Sequence, residues 1–307
     1  MLKRTLRALR HTFSGEVGVI PFAELTRRHV RSDSGFLQVQ GLNLHYRDIN
    51  NTGNPNAKVL ILLHGVFASL HTWDGWSERL SQDFRVISID TPNFGLTGRH
   101  PEGMRRYLYS DFILALMQEL KIDKAHLAGN SLGGWMTWEF AARFPDKVEK
   151  IILLDSAGFF FVPPAMLISM ALPLGGWLAS RTFMPRKVLY AIVRTTYGDK
   201  SRLDKTTLDR YYDLLMRAGN RQAAAEVLRY IRNKGGFNKS LMKQVRCPTL
   251  VMWGKQDAWI PPAHADSFKA AIPQAQVIMY DNCGHMPMEE IPEQSAADAL
   301  AFLKTTA

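Results

Sequence analysis

Residues 129–134 read Gly-Asn-Ser-Leu-Gly-Gly, directly after the apolar run Lys124-Ala-His-Leu-Ala128 and directly before a helix-forming stretch. A Gly-X-Ser-X-Gly at such a junction demands a tight, strained turn between a buried strand and the helix that follows. That turn projects the serine hydroxyl above the sheet. Gly129 and Gly133 are needed because a side chain at either position would collide with the neighbouring strand and helix backbones. The pattern marks Ser131 as a nucleophile.

Other apolar runs place this turn in a fold. Strand-like segments occur at 36–40, 43–47, 58–63, 85–90, 124–129, 149–155, 248–253 and 276–280. From the third onward they alternate with helical patterns at 73–82, 105–120, 131–144, 262–272 and 290–304. That alternation predicts an α/β architecture, a mostly parallel eight-stranded sheet flanked by helices. Such sheets gather ligands at the carboxyl ends of their strands. His64-Gly65, Asp90, Ser131, Asp155, Asp257 and His285 all fall at or just after a strand end.

A serine hydroxyl is a weak nucleophile at neutral pH, so it requires a histidine to take its proton and a carboxylate to fix that histidine's tautomer. His285, in the glycine loop Asn282-Cys-Gly-His285 after the last strand, is the candidate base. Asp257, which closes Val251-Met-Trp-Gly-Lys-Gln-Asp257, is the candidate acid. Ser131, Asp257 and His285 follow one another at intervals of 126 and 28 residues.

Four motifs now combine: His64-Gly-Val-Phe-Ala-Ser69, Asp90-Thr-Pro-Asn-Phe-Gly-Leu-Thr97, Gly129-Asn-Ser-Leu-Gly-Gly134 and Gly284-His-Met-Pro-Met-Glu289. With the chain order Ser, Asp, His, they make residues 36–304 resemble the α/β-hydrolase family, in particular its serine carboxylesterases and monoacylglycerol-lipase-like members. There is some similarity to meta-cleavage product hydrolases. The resemblance implies that the backbone amides of Leu132 and Val66, with Phe67 as fallback for the second, form the oxyanion hole, and that His64 orients its loop. It also makes Asp155 a rival acid, since some members carry the carboxylate after the sixth strand; the form of Asp257-Ala-Trp-Ile-Pro261 favours Asp257. The second motif departs from the family's Asp-X-Pro-Gly-X-Gly-X-Ser at Asn93 and Thr97, and asparagine can adopt the left-handed conformation of the missing glycine.

The family commonly inserts a helical cap after the sixth strand. The expected organisation is a basic N-terminal segment (1–35), a hydrolase core (36–155 and 245–307) and a helical cap or lid (156–244). Residues 156–180 carry no charged side chain, a run long enough to cross a bilayer. Pro163, Pro164, Pro173, Gly175 and Gly176 break it, and a span there would tear the sheet from its last two strands. An apolar lid lining an acyl pocket is the better account. Phe67, Asn130, Phe159, Phe160, Met166, Trp177 and Met286 are the candidate substrate-binding residues, and Phe161 strengthens the expectation of a longer-chain substrate.

Charge separates the appendages from the core. Residues 1–31 carry seven Lys or Arg and two Glu, and residues 181–246 carry sixteen Lys or Arg against five acids. As the whole chain is +10, the remainder is net acidic. Leu2, Leu6 and Leu9 share a helical face amid Lys3, Arg4, Arg7 and Arg10, a pattern suited to an anionic membrane surface. It lacks the apolar middle of a secretory signal. The two cysteines, Cys247 and Cys283, suggest a reduced interior. A cytoplasmic enzyme, with peripheral contact at the inner membrane surface, is therefore expected. The sequence shows no metal-ligand spacing, no phosphate-cradling loop and no nucleic-acid recognition fold, so neither cofactor, metal nor nucleic acid is expected.

Serine at 131 disfavours haloalkane dehalogenase and epoxide hydrolase chemistry, which would place aspartate there. Two chemistries remain: hydrolysis of medium- to long-chain acyl esters or monoacylglycerols through an acyl-enzyme, and carbon–carbon cleavage of aromatic ring-fission products. The second group usually has a glycine- and proline-rich oxyanion loop and a tryptophan after the histidine, where this chain has Val66-Phe-Ala-Ser69 and Met286. A non-catalytic hydrolase-fold binding protein is the alternative outside enzymology.

Overall fold

The computed structural model describes residues 16–233 and 237–305. The proposed helix at residues 2–10 lies outside them. Eight strands form one sheet: β1 (Ser34–Val39), β2 (Leu42–Ile49), β3 (Val59–Leu63), β4 (Arg85–Ile89), β5 (Ala125–Asn130), β6 (Val148–Leu154), β7 (Thr249–Gly254) and β8 (Gln276–Tyr280), in the order β1-β2-β4-β3-β5-β6-β7-β8. The β1–β2 and β2–β4 pairs are antiparallel and all others parallel, as the alternating pattern predicts. The central strands are continuous apolar runs, Val-Leu-Ile-Leu-Leu in β3, because helices cover both their faces. All five of those residues are buried. β1 exposes Phe36 and Gln38 on one face, as a strand with a wet face does, whereas β2, between β1 and β4, also buries His45 and Arg47.

Each face has its own core. Trp138, Phe112 and Phe140 pack on one side, and Trp73, Trp76 and Phe302 on the other. Two helical expectations shift in detail. The helix read as 105–120 runs Leu108–Glu119, since Tyr107 turns left-handed at φ 62°. The stretch 290–304 is Pro287–Glu290 followed by Pro292–Lys304, because Pro292 opens a new helix instead of continuing the old one.

Between β6 and β7 the chain forms helices at Ala165–Ala171, Pro173–Arg181, Arg186–Arg194, Lys205–Leu215, Asn220–Asn233 and Lys239–Met242. The long uncharged run is thus split at Pro173 into two short helices. No helix among the described residues is long and apolar enough to cross a membrane. The segment before β1 docks on this insertion: helix Phe22–His29 buries Leu25 against Leu214 and Leu96, and Arg28 pairs with Asp213 at 2.8 Å.

Candidate active site

Parallel register brings the motifs to one end of the sheet. Leu63 lies opposite Gly129 in the β3–β5 pair and Leu154 opposite Asn130 in the β5–β6 pair, so the loops after β3, β5 and β6 are neighbours. Ser131 sits between β5 and helix Leu132–Arg143 with φ 55° and ψ −114°, a region that non-glycine residues enter only when their surroundings force them. Its amide donates to Leu154 O at 3.0 Å, and its carbonyl accepts from Ala157 at 3.0 Å. The flanking glycines are sterically required. A Cβ at Gly129 would stand 2.1 Å from the Gly133 oxygen, and one at Gly133 2.0 Å from the Leu63 oxygen.

His285 lies 2% exposed at the end of the loop after β8, with Nδ1 2.8 Å from Asp257 Oδ2. The other Asp257 oxygen accepts from the Trp259 and Ile260 amides at 2.7 and 3.0 Å. As a carboxylate in this position only accepts, it holds the imidazole proton on Nδ1 and leaves Nε2 free as a base. Ser131 and His285 line one small cavity with no hydrogen bond between them. Such contacts commonly tighten only when substrate binds.

Asp155 is close by but makes no hydrogen bond to His285. One oxygen accepts from Gly254 N at 3.0 Å, and the other is buried without a partner. Burial, reinforced by the charge of Asp257, raises its pKa above the ordinary carboxylate value, which favours its protonated form. The acid in contact with the histidine is Asp257. Asp155, Asp257 and His285 offer ligand atoms all within 4.8 Å of one another, a spacing that could hold a cation; the hydrogen bond between Asp257 and His285 already accounts for it.

The loop after β3 is held by His64, whose Nδ1 donates to Gly65 O at 2.8 Å while Nε2 accepts from Thr91 N at 3.0 Å. Burial keeps its pKa below the ordinary histidine value, consistent with a neutral positioning role. Among the described residues, the amides of Val66, Phe67 and Leu132 have no acceptor. Asn93 adopts φ 82°, the left-handed conformation expected of it. Asp90 anchors the same loop by accepting from Leu70 and Leu96 amides at 2.8 and 2.7 Å.

Two cavities meet at Ser131. The smaller, about 40 Å³, is lined by Phe67, Asn130, Met166 and Met286 among the predicted residues, with Val66, Ser131 and His285. The larger, about 440 Å³, carries Leu132, Phe159 and Phe160, again with Val66 and Ser131. Asn130 faces the small cavity but its amide is already engaged, donating to His285 O at 2.9 Å and Leu154 O at 3.2 Å; it fastens the histidine loop to the serine turn. Trp177 lines neither cavity. It is 51% exposed on helix Pro173–Arg181, with the Arg181 guanidinium 5.3 Å from its ring, because the helix packs on its neighbours through Gly176 and Ser180.

Three residues escaped the sequence reading. Trp259 stacks on His285 with centroids 5.7 Å apart and planes at 22°. Glu290 accepts from Gly284, Gly198 and Asp199 amides at 2.8, 3.1 and 2.7 Å, tying the histidine loop to the insertion. Arg221 is buried yet lines the small cavity. Only Trp259 offered a sequence signal, its place two residues after the candidate acid.

A strand–turn–helix serine under a histidine–carboxylate pair, at the carboxyl end of a mostly parallel eight-stranded sheet, defines a hydrolase class. The chain belongs to the α/β hydrolase fold family, whose model matches residues 58–292. Similar proteins include an uncharacterized hydrolase, YugF, of Bacillus subtilis (strain 168), 24% identical and covering 87% of this chain and 96% of the relative. Lipase 1 of Psychrobacter immobilis is 27% identical over 87% of this chain and 84% of the lipase. Among solved structures, a meta-cleavage product hydrolase from Pseudomonas fluorescens IP01 superposes with a TM-score of 0.75 at 21% identity, over 89% of this chain and 98% of that one.

Proposed function

We propose that this hydrolase is a serine carboxylesterase acting on medium- to long-chain acyl esters or monoacylglycerols. The observation that carries the reading is the position of Ser131, strained at the junction of two apolar cavities and sharing one of them with His285, itself bonded to Asp257. Ser131 Oγ attacks the ester carbonyl as its proton passes to His285 Nε2. The amides of Val66 and Leu132 meet the oxyanion; losing one such donor typically costs about 10²- to 10³-fold in rate. On collapse, His285 returns the proton to the departing alkoxide, leaving an acyl-enzyme. Water, deprotonated by His285, then releases the acid. Asp257 stabilises the imidazolium in both halves.

In this reading residues 36–155 and 245–307 are the catalytic core, and 156–244 a cap whose aromatic inner face receives the chain. The cap's outer face exposes Leu174, Trp177 and Phe183 next to Arg181, Arg186 and Lys187. This supports peripheral contact with an anionic membrane surface on the cytoplasmic side, tested by flotation with anionic against zwitterionic vesicles.

The deciding assay measures hydrolysis of esters from acetate to palmitate, with Ser131→Ala as control. Turnover is expected in the native enzyme, lost in the variant, and lowest for acetate. Turnover that survives Ser131→Ala removes the nucleophile assignment. No turnover with any ester favours a binding protein, and faster consumption of a vinylogous diketo acid favours carbon–carbon cleavage.

A further inference from the structure

Among the described residues, only Val66, Ser131 and Trp259 line both cavities. Val66 offers a backbone amide and Ser131 a hydroxyl, which leaves the indole of Trp259 as the large side chain standing between the two spaces. It is held from several sides. Its backbone amide donates to Asp257 at 2.7 Å, its Nε1 donates to Thr195 Oγ1 at 2.8 Å, and its ring lies on the His285 imidazole. With both ring face and ring nitrogen engaged and the residue 8% exposed, the indole is a fixed partition.

The chemistry of ester cleavage assigns the two sides. The proton must be handed to the leaving oxygen by His285. His285 and Met286 line the small cavity and not the large one, so the alcohol departs on the small side. Of the two proposed oxyanion donors, Leu132 lines only the large cavity and Val66 lines both. The walls of the large cavity are aromatic and aliphatic, with Phe159, Phe161, Leu167 and Phe237 among them. The sizes reinforce the assignment. About 40 Å³ is room for about three water-sized groups, extended a little by the flexible side chains of Met166, Met170 and Met184. About 440 Å³ is some tenfold more.

We infer that Trp259 is a specificity-determining partition that directs the alcohol of an ester into the narrow methionine-lined arm and its acyl chain into the wide aromatic arm, selecting substrates with a long acid and a short alcohol. This rests on the esterase reading and adds to it which half of the substrate is recognised by size.

Methyl decanoate and nonyl acetate are isomers of one formula, so their apolar content is equal and only the position of the carbonyl differs. Hydrolysis followed by acid release in a pH-stat gives kcat/KM for each. The native enzyme is expected to favour methyl decanoate by at least about 10-fold. Trp259→Ala merges the arms and should bring the ratio to within about 3-fold of unity, whereas Trp259→Phe, which keeps an aromatic wall, should preserve most of the preference. Ile192→Ala, which enlarges only the narrow arm, should raise nonyl acetate turnover relative to its isomer and serves if Trp259→Ala does not fold. A native ratio near unity or reversed, or a ratio unmoved by Trp259→Ala and Ile192→Ala, overturns the partition while leaving an esterase. Failure to hydrolyse either isomer or any other ester overturns the esterase reading itself, and the partition with it.

Discussion

Two carboxylates compete for the acid role, and paired amide substitutions separate them. In Asp257→Asn, the oxygen that accepts from Trp259 and Ile260 at 2.7 and 3.0 Å must remain an oxygen, because an NH₂ there would confront two N–H donors. The new NH₂ therefore faces His285 Nδ1, 2.8 Å away in the native protein. Facing a donor, Nδ1 must accept, and the ring proton moves to Nε2. The lone pair that would take the Ser131 proton is then gone. A wrong-tautomer triad loses about 10⁴ in kcat, about 5 kcal/mol of barrier. Asp155→Asn has a different outcome. Burial and the nearby Asp257 charge raise the Asp155 pKa, its contact with Gly254 N needs only an oxygen, and the amide is its isostere. Activity should stay within about 3-fold, since the His285 Nδ1 contact is made by Asp257 and not by Asp155. Steady-state hydrolysis of a nitrophenyl ester at pH 8, with thermal melting of each variant as the control for folding, measures both. A loss of 10³-fold or more in Asp155→Asn beside a nearly active Asp257→Asn would refute the geometry and make Asp155 the acid.

Three further outcomes follow from burial and sterics. Burial, aided by Lys58, holds His126 down to about 4, so the unfolded chain, titrating near 6.5, binds protons first; stability is complete above pH 6.5 and falls as pH drops to about 4, by about 3 kcal/mol. His126→Phe should flatten the melting temperature over that window relative to the native protein, and parallel curves would contradict the assignment. A Cβ at Gly133 would press on the Leu63 backbone at 2.0 Å, so Gly133→Ala should cost about 3 kcal/mol or more, read as a melting temperature several degrees lower or an insoluble chain; a normal melt refutes the packing argument. Trp177→Ala should leave kcat/KM within about 2-fold, because the side chain is exposed and outside both cavities; a larger loss on a soluble ester would mean that the insertion rearranges around substrate.

Much of the site was legible because its signals are local. Ser131 announces itself through Gly129 and Gly133, whose missing side chains are demanded by contacts within a strand–turn–helix. His285 and Asp257 stand at strand ends that apolar runs locate. Asn93 takes the left-handed conformation anticipated for it. Trp177 shows where such reading stops: as an aromatic residue in an uncharged stretch it looked like pocket lining, but which face of a short helix turns inward is settled by the helices packed against it. Glu290 gave no signal, since its partners Gly198 and Asp199 lie some ninety residues earlier in the chain.

Sequence alone determined the sheet, its crossover rhythm and the order of the reactive groups, because hydrophobic periodicity and glycine sterics act over a few residues. Tertiary structure decided which carboxylate touches the imidazole, how Trp259 stands between two cavities and which way the insertion's aromatic side chains point. Those depend on the relative placement of segments a hundred residues apart, where a displacement of an ångström exchanges a hydrogen bond for an empty space and leaves no trace in the local pattern.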